Sequence, residues 1–208
     1  MGDEGFFLIL PGTWATIPLS SPEKIKRQVA QVVKQQIGTS DRLASRRRQF
    51  REELVKSATD ARDQGAIAYA IALELMPGVP FSGAMITRRQ PWPRIATALD
   101  GLAEPADRLR AAFPDATVLH TAAGPVARVA TEGVQHYVTE ETPSLRLEYW
   151  LPAPVEDGLL AMLISLPTAP DGALFTELFD SIVDSITWIG DSVEAADGGA
   201  AAGVVAGA

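Results

Sequence analysis

His120 and His136 are the two histidines of this chain, and because cysteine is absent they are the side chains left for nucleophilic or metal chemistry. Glu132, His136 and Glu140 repeat at every fourth position within an alternating apolar segment, which favours a strand. On a strand these three side chains span about 13 Å, which is too wide for one metal ion. We therefore expect no metal site and interpret His136 as a side chain that packs on a sheet, with general-base catalysis as the weaker alternative.

Other catalytic patterns are missing from the sequence. The absence of cysteine excludes thiol catalysis, disulfides and thiolate metal sites. The chain has no Gly-x-Ser-x-Gly elbow for serine hydrolysis and no glycine-rich phosphate loop. The sequence therefore predicts a protein that is not an enzyme and that carries no cofactor.

A cluster of arginines is the most unusual charged feature. It consists of Arg42, Arg46, Arg47, Arg48 and Arg51. On a helix, Arg51 lies one turn from both Arg47 and Arg48, so these side chains can meet one acidic surface together. The alternatives are a solvated helix face, an anionic membrane surface and contact with the acidic remainder of the chain. We predict that the cluster binds a protein partner with an acidic surface.

Arg88, Arg89 and Trp92 form a smaller candidate site. Trp92 lies between two prolines and follows the two arginines closely. Cations beside an exposed aromatic ring are typical of interaction loops, whereas a single tryptophan is often simply packed. We predict that these three residues also contribute to partner binding.

The charge of the chain is unevenly distributed. The net charge is −8 at pH 7. Residues 22–64 contain eleven Lys and Arg against six Asp and Glu, so this segment carries +5 and the remainder carries −13. The acidic total opposes general nucleic-acid binding, because the phosphate backbone attracts basic surfaces.

The sequence also bears on location. The chain begins with acidic residues, where a secretory signal has basic ones, and no apolar stretch reaches the roughly 18 residues that cross a bilayer. We therefore expect a cytoplasmic protein without a transmembrane segment.

Residues 22–64 are predicted to form a basic helical hairpin. A capping box from Ser20 to Glu23 precedes an apolar stripe of helical period that ends at Gly38. A second stripe ends at Gly65, and the short connection implies that the two helices are antiparallel.

The remainder reads mostly as strands with period-two alternation. The predicted strands are Phe6–Leu10, Ala66–Leu75, Gly83–Arg89, Thr117–Thr121, Val126–Thr131, Val134–Thr139, Leu145–Leu151 and Leu159–Leu166. Turns at Glu132-Gly133 and Thr142-Pro143 connect neighbouring antiparallel strands. Trp14 is placed in the loop that follows the first strand.

Three further helices complete the prediction, at Pro93–Leu102, Pro105–Phe113 and Leu174–Ile189. The expected fold is a single α+β domain over residues 1–190. In it, a mostly antiparallel sheet of about seven strands is covered by the N-terminal hairpin and the C-terminal helix. Residues 191–208 are rich in Ala, Gly and acidic residues and are predicted to form a flexible tail.

Both ends of the domain resemble PsbP-like domains. The apolar run from Phe6 into Pro11-Gly12-Thr13-Trp14 looks like their first strand and turn, and the helix from Phe179 to Trp188 is similar to their terminal helix. The resemblance implies an antiparallel sheet between helical layers and a non-enzymatic binding or assembly role. The Ala- and Arg-rich composition also resembles actinobacterial proteins that accompany type VII secretion components.

The sequence thus favours a non-enzymatic accessory or assembly factor that acts by protein–protein contact, in association with a type VII secretion system. The alternative is a small-molecule or lipid carrier with an apolar pocket between sheet and helices. Trp14, Trp150 and Trp188 would line that pocket.

Overall fold

The structure is a computed structural model that describes residues 5–38, 40–76, 78–94, 102, 104–137, 140–154 and 158–189, with the backbone alone at 80, 135–137 and 140. Its elements are β1 (Phe6–Phe7), β2 (Thr13–Thr16), α1 (Pro22–Ile37), a 3₁₀ turn (Asp41–Leu43), α2 (Ala44–Asp63), β3 (Ala66–Met76), β4 (Val79–Pro91), α3 (Pro105–Ala112), β5 (Thr117–Thr121), β6 (Gly124–Tyr137), β7 (Glu140–Pro152), β8 (Gly158–Leu166), α4 (Gly172–Asp184) and β9 (Thr187–Trp188).

Within the described residues, seven strands form one sheet in the order β2-β3-β4-β8-β7-β6-β5, and every neighbouring pair is antiparallel. Two meanders, β2 to β4 and β5 to β8, meet where β4 pairs with β8. The short strands β1 and β9 pair separately, with Phe6 opposite Trp188. The predicted α+β class with an antiparallel sheet covered by helices is confirmed.

The hairpin covers one side of the sheet, which we call the hairpin face. Alternation along β3 directs three of its larger apolar side chains to this face: Tyr69, Ile71 and Leu73. They pack against one stripe of α1 and against two alanines of α2, namely Ile25, Val29, Val32 and Val33, with Ala58 and Ala61. The hairpin is therefore held by β3, as its apolar stripes require.

The opposite side of the sheet, which we call the α4 face, carries the larger core. Phe179, Ile182 and Val183 of α4 are buried against it together with Phe6 and Leu8 from the N-terminal segment. The helix α3 packs elsewhere, at the β5 end of the hairpin face, where buried Leu109 contacts a cluster that includes Ala127 and Trp150. Helices therefore lie on both sides of the sheet.

The predicted turn at Glu132-Gly133 is wrong, because β6 continues unbroken through both residues. Gly133 lies opposite Ser144, and a Cβ at Gly133 would meet the Ser144 Oγ at 3.1 Å. Gly133 therefore permits the close approach of β6 and β7 and does not interrupt β6. The predicted turn at Thr142-Pro143 likewise lies inside β7.

Four further features differ from the prediction. The first strand is limited to Phe6–Phe7, with an isolated β-bridge at Ile9, and burial alternates through to Leu10. Trp14 belongs to β2, and the last helix ends at Asp184, followed by β9. The N-cap of α1 is Ser21, whose Oγ accepts a hydrogen bond from the Lys24 amide. The predicted capping box from Ser20 to Glu23 is therefore wrong, because the residue three positions after the cap is Lys24 and not a glutamate.

Two sequence-based predictions lie outside the described residues. The predicted helix over 93–102 falls largely on positions 95–101, and the predicted tail begins at 191. By contrast, the neighbouring prediction at Pro105–Phe113 is confirmed as α3.

Candidate functional site

The arginine cluster lies at the free end of the hairpin, which we call the hairpin tip (residues 40–51). Arg42, Arg46, Arg48 and Arg51 are all exposed. Arg47 differs, because its Nη1 donates to the Gly38 carbonyl at 3.3 Å and to the Ser40 carbonyl at 2.5 Å. Arg47 therefore fixes the connection between the two helices.

The arginines at the tip do not share one helix face. At 3.6 residues per turn, Arg48 and Arg51 lie about 60° apart around α2, whereas Arg46 lies about 140° from Arg51. The structure therefore brings Arg48 and Arg51 together on one flank of α2 and leaves Arg46 on the other. The predicted single basic surface is therefore divided between two sides of the tip.

The tip lacks features that normally stabilise a helix start. The structure gives α2 no side-chain cap and no acidic residue in its first turn, where Arg46 and Arg47 lie. Cations at a helix N-terminus oppose the helix dipole. The side chains of α2 become fully buried only at Ala58 and Ala61. The tip is thus an exposed, cationic end in which the partly buried Phe50 packs against the core.

The side chains of the four exposed arginines of the tip have no partner among the described residues. Across the part of the chain that the structure describes, Arg42, Arg46, Arg48 and Arg51 make no ion pair and no hydrogen bond. Of the alternatives that the sequence left open, contact with the acidic remainder of the chain is therefore not seen in the described residues.

The second predicted group, Arg88, Arg89 and Trp92, is separated by the fold. Arg88 lies on the hairpin face opposite Ala161, whereas Arg89 lies opposite Leu160 and projects toward the α4 face. Trp92 is half-buried in the α3 cluster, and its ring is covered by the Arg108 guanidinium at 4.3 Å. Trp92 is therefore packed, and its cation is neither of the predicted arginines.

A cleft lies on the hairpin face, within the part of the chain that the structure describes. It has a volume of about 480 Å³ and lies between the C-terminal half of α2 and strands β4, β8 and β7. Its floor includes Ile86, Ala161 and Leu163. Charged side chains of both signs surround this floor: Glu53, Lys56, Asp60, Arg88, Arg146 and Glu148. The cleft can therefore hold a ligand that is partly apolar and partly charged.

Strand register determines the layout of this cleft. Arg88 of β4, Ala161 of β8 and Trp150 of β7 form one row across three neighbouring strands. The Trp150 ring stacks on Phe113, with ring centroids 4.3 Å apart and planes 18° apart. The Trp150 ring, held by Phe113, thus forms one side of the cleft, and Ala161 separates it from Arg88.

The three tryptophans assigned to an apolar pocket do not line one cavity. Trp14 and Trp188 pack on the α4 face, edge-to-face with Phe179 and Phe6 respectively. Trp150 alone among the three lines the cleft. The predicted pocket is wrong in its lining, since Trp14 and Trp188 lie on the α4 face, whereas the cleft lies on the hairpin face and has six charged side chains in its lining.

A polar network ties α4 to the sheet. Asp180 accepts hydrogen bonds from the Tyr149 hydroxyl at 2.9 Å and from Arg128 Nη1. Burial and the neighbouring Asp180 carboxylate raise the pKa of Tyr149. The network is mostly buried and offers no open position for a substrate, so we assign it a structural role.

The histidines do not contribute a described catalytic or metal site. His120 is exposed near the end of β5, and the His136 side chain lies outside the described residues. In the described ranges, no group of three or more His, Asp or Glu could hold a metal ion. None of the helices that the structure describes has the length and hydropathy needed to cross a membrane.

Searches with this chain found no matching protein-family model, no matching curated protein and no matching solved structure.

Sequence reasoning missed most of the cleft. Glu53, Lys56 and Asp60 recur at spacings of three and four, which places them on one flank of α2. Arg146, Glu148 and Trp150 alternate along β7, which places them on one face of the sheet. Both signals are visible in the sequence, but only strand register shows that the two sets face one cavity.

Proposed function

We propose that the protein is a non-enzymatic accessory or assembly factor that acts by protein–protein contact, and that an acidic partner binds the hairpin tip. The observation that carries this proposal is the set of exposed arginines without partners in the described structure. Like charges one turn apart disfavour the helix by a few tenths of a kcal/mol per pair. An acidic partner relieves that repulsion, which gives the tip an affinity for anionic surfaces.

A protein partner fits the charge distribution better than a nucleic acid. The basic segment is short, and the remainder of the chain carries −13. A long polyanion that follows the surface would meet this acidic remainder and be repelled, whereas an acidic patch limited to the tip would not.

Charge removal at the tip tests the proposal. The test variant replaces Arg46, Arg48 and Arg51 with Ala. The matched control removes three exposed cations from the opposite end of the same hairpin: Lys24, Lys26 and Arg27. Both variants and the original protein are used as bait in the native host at low and at high salt.

We expect a stoichiometric partner that binds the original protein and the control at low salt, and that is lost with the test variant or at high salt. Equal recovery with the test variant would contradict the proposal. Vesicles that contain phosphatidylserine provide the competing test, because arginine-dependent binding to vesicles without any protein partner would assign the tip to a membrane surface instead.

The resemblance to PsbP-like domains and to proteins that accompany type VII secretion supports a partner within such a system, and a cytoplasmic site of action. Reciprocal capture tests this assignment. A secretion component used as bait should recover this protein, and replacement of the three tip arginines should abolish that recovery.

The cleft favours a second candidate function, the binding of a small molecule. Its volume of about 480 Å³ falls within the usual range for ligand sites, and it combines an apolar floor with a few polar groups. Native mass spectrometry of protein purified from its host tests this function. A bound mass that an Ala161→Leu variant loses would support it, and an unliganded mass in both proteins would count against it.

A further inference from the structure

Some charged side chains around the cleft have hydrogen-bond or ion-pair partners and others have none in the described structure. Arg146 Nε pairs with Glu148 Oε1 at 3.2 Å, and Glu53 accepts a hydrogen bond from Gln49 at 2.9 Å. The other three charged side chains of the lining are Lys56, Asp60 and Arg88. In the described structure they form no hydrogen bond or ion pair. Lys56 and Arg88 are thus cations without an ion pair in the described structure and are available to an anion, while Glu53 and Asp60 balance their charge across the whole lining.

Arg88 is positioned to meet that anion. Its neighbours in the cross-strand row are Ala66 and Ala161, whose small side chains leave the space above the sheet open. Trp150 lies two strands from Arg88, at a backbone separation of about 10 Å. A flat molecule can therefore lie over Ala161 with one end against the indole and the other at the guanidinium.

We infer that the cleft binds a small carboxylate with a flat, apolar body. The carboxylate pairs with Arg88, whose planar guanidinium can donate two parallel hydrogen bonds to it. The apolar body covers Ala161 and packs against Trp150, and Lys56 provides a second cation at the opposite rim. This inference rests on the second candidate function and names the ligand class of that site.

Three probes with one ring system test the ligand class: 2-naphthoate, 2-naphthylmethanol and 2-naphthylmethylammonium. Their affinities are measured by calorimetry with the full chain at low salt. We expect 2-naphthoate to bind most tightly and the ammonium probe least. Arg88→Gln should weaken 2-naphthoate about tenfold and change the alcohol by less than about twofold, because only the carboxylate uses the charge.

Two further variants locate the site. Ala161→Leu fills the space between Arg88 and Trp150 and should weaken all three probes. Arg89→Gln removes the same charge from the next residue, which lies opposite Leu160 and projects toward the other face of the sheet, and should leave 2-naphthoate affinity unchanged. Thermal unfolding confirms that each variant is folded. If Arg88→Gln does not fold, the order of the three probes on the original protein decides.

The outcomes separate the two levels of the proposal. Tighter binding of the ammonium or the alcohol, still weakened by Ala161→Leu, would overturn the carboxylate class and leave small-molecule binding intact. Unchanged 2-naphthoate affinity in Arg88→Gln would overturn the role of Arg88. Failure of all three probes to bind would overturn the inference, and the native mass spectrum of the purified protein decides the candidate function beneath it.

Discussion

The two helices of the hairpin begin in opposite ways. α1 starts with the capping hydroxyl of Ser21, followed by Pro22 and Glu23, and hydrogen bonds to its own backbone and to Ser21 lower the pKa of Glu23. α2 starts after a 3₁₀ turn without a side-chain cap, and arginines occupy its first turn. Packing follows the same division, because α1 is buried from its first turn at Ile25 and α2 only from Ala58.

The difference divides the hairpin into two parts. α1 stabilises the fold, and the start of α2 is the part for which we propose a binding role. Capping, dipole and burial all favour α1, so its sequence is consistent at each level. The start of α2 departs from the same rules while its arginines remain exposed and without described partners. Arginines that disfavour the start of α2 and have no partner among the described residues are the reason why we propose that the tip binds a partner.

Truncation of apolar side chains provides the strongest test of this division. Ile25→Ala removes a fully buried side chain and should lower the free energy of unfolding by about 2 to 4 kcal/mol. Leu43→Ala, at the tip, removes a side chain that is 37% exposed and should cost less than about 1 kcal/mol. Urea unfolding of both variants measures the contrast, and similar losses would show that the tip is part of the core.

The cap of α1 gives the next largest effect. Ser21→Ala leaves the Lys24 amide without its acceptor and should lower the free energy of unfolding by about 1 kcal/mol. Ser20→Ala is the matched control, because Ser20 is exposed and precedes the cap. Denaturant titration measures both, and an equal loss in Ser20→Ala would move the cap back by one residue.

Charge reversal at the tip should separate stability from binding. Arg46→Glu with Arg48→Glu places one anion in the first turn of α2 and a second just after it, where the helix dipole favours them, and should raise the free energy of unfolding by about 0.5 to 1 kcal/mol. The same variant should lose the acidic partner. Thermal unfolding and partner capture are read in parallel, and a destabilised variant would mean that these arginines support the fold.

The smallest effect concerns the part of α2 that is packed. The Tyr69 hydroxyl donates to Ser57 Oγ at 3.1 Å, and burial raises the pKa of Tyr69 above 10.0. The unfolded chain ionises this group first, so the free energy of unfolding should fall as the pH rises above about 10. Tyr69→Phe should reduce that fall and cost less than about 1 kcal/mol below pH 9 or so. Tyr149, whose pKa is also raised, supplies a background that both proteins share.

Local signals explain which elements were predictable. The signals for α1 are all local: a serine cap before it, an apolar stripe of 3.6-residue period along it and Gly38 after it. Its observed bounds from Pro22 to Ile37 therefore match the predicted start and stop. The pair Glu132-Gly133 carries a turn signal too, yet β7 supplies a partner for every residue on either side of it. Tertiary pairing therefore overrides a local preference that was correctly identified.

The cleft was not predictable for a different reason. Arg88 and Trp150 are far apart in sequence and meet only because β8 inserts between β4 and β7. A shift of one residue in either pairing would place them on opposite faces. The arginine cluster is visible in the sequence without any strand pairing. Its division between two flanks of α2, and the hydrogen bonds of Arg47 to the connection between the helices, could be recognised only once the start of α2 was known.

The pairing of β1 with β9 also constrains how the chain is made. The Ile9 amide donates to Ser185 Oγ across 176 positions of sequence, and Phe6 lies opposite Trp188. During synthesis the first strand emerges from the ribosome long before its partner exists, so Phe6, Leu8 and Leu10 must wait for α4 before they can be buried. Closure of so long a loop is slow, which makes this contact a late event and the N-terminal segment a natural client for chaperones.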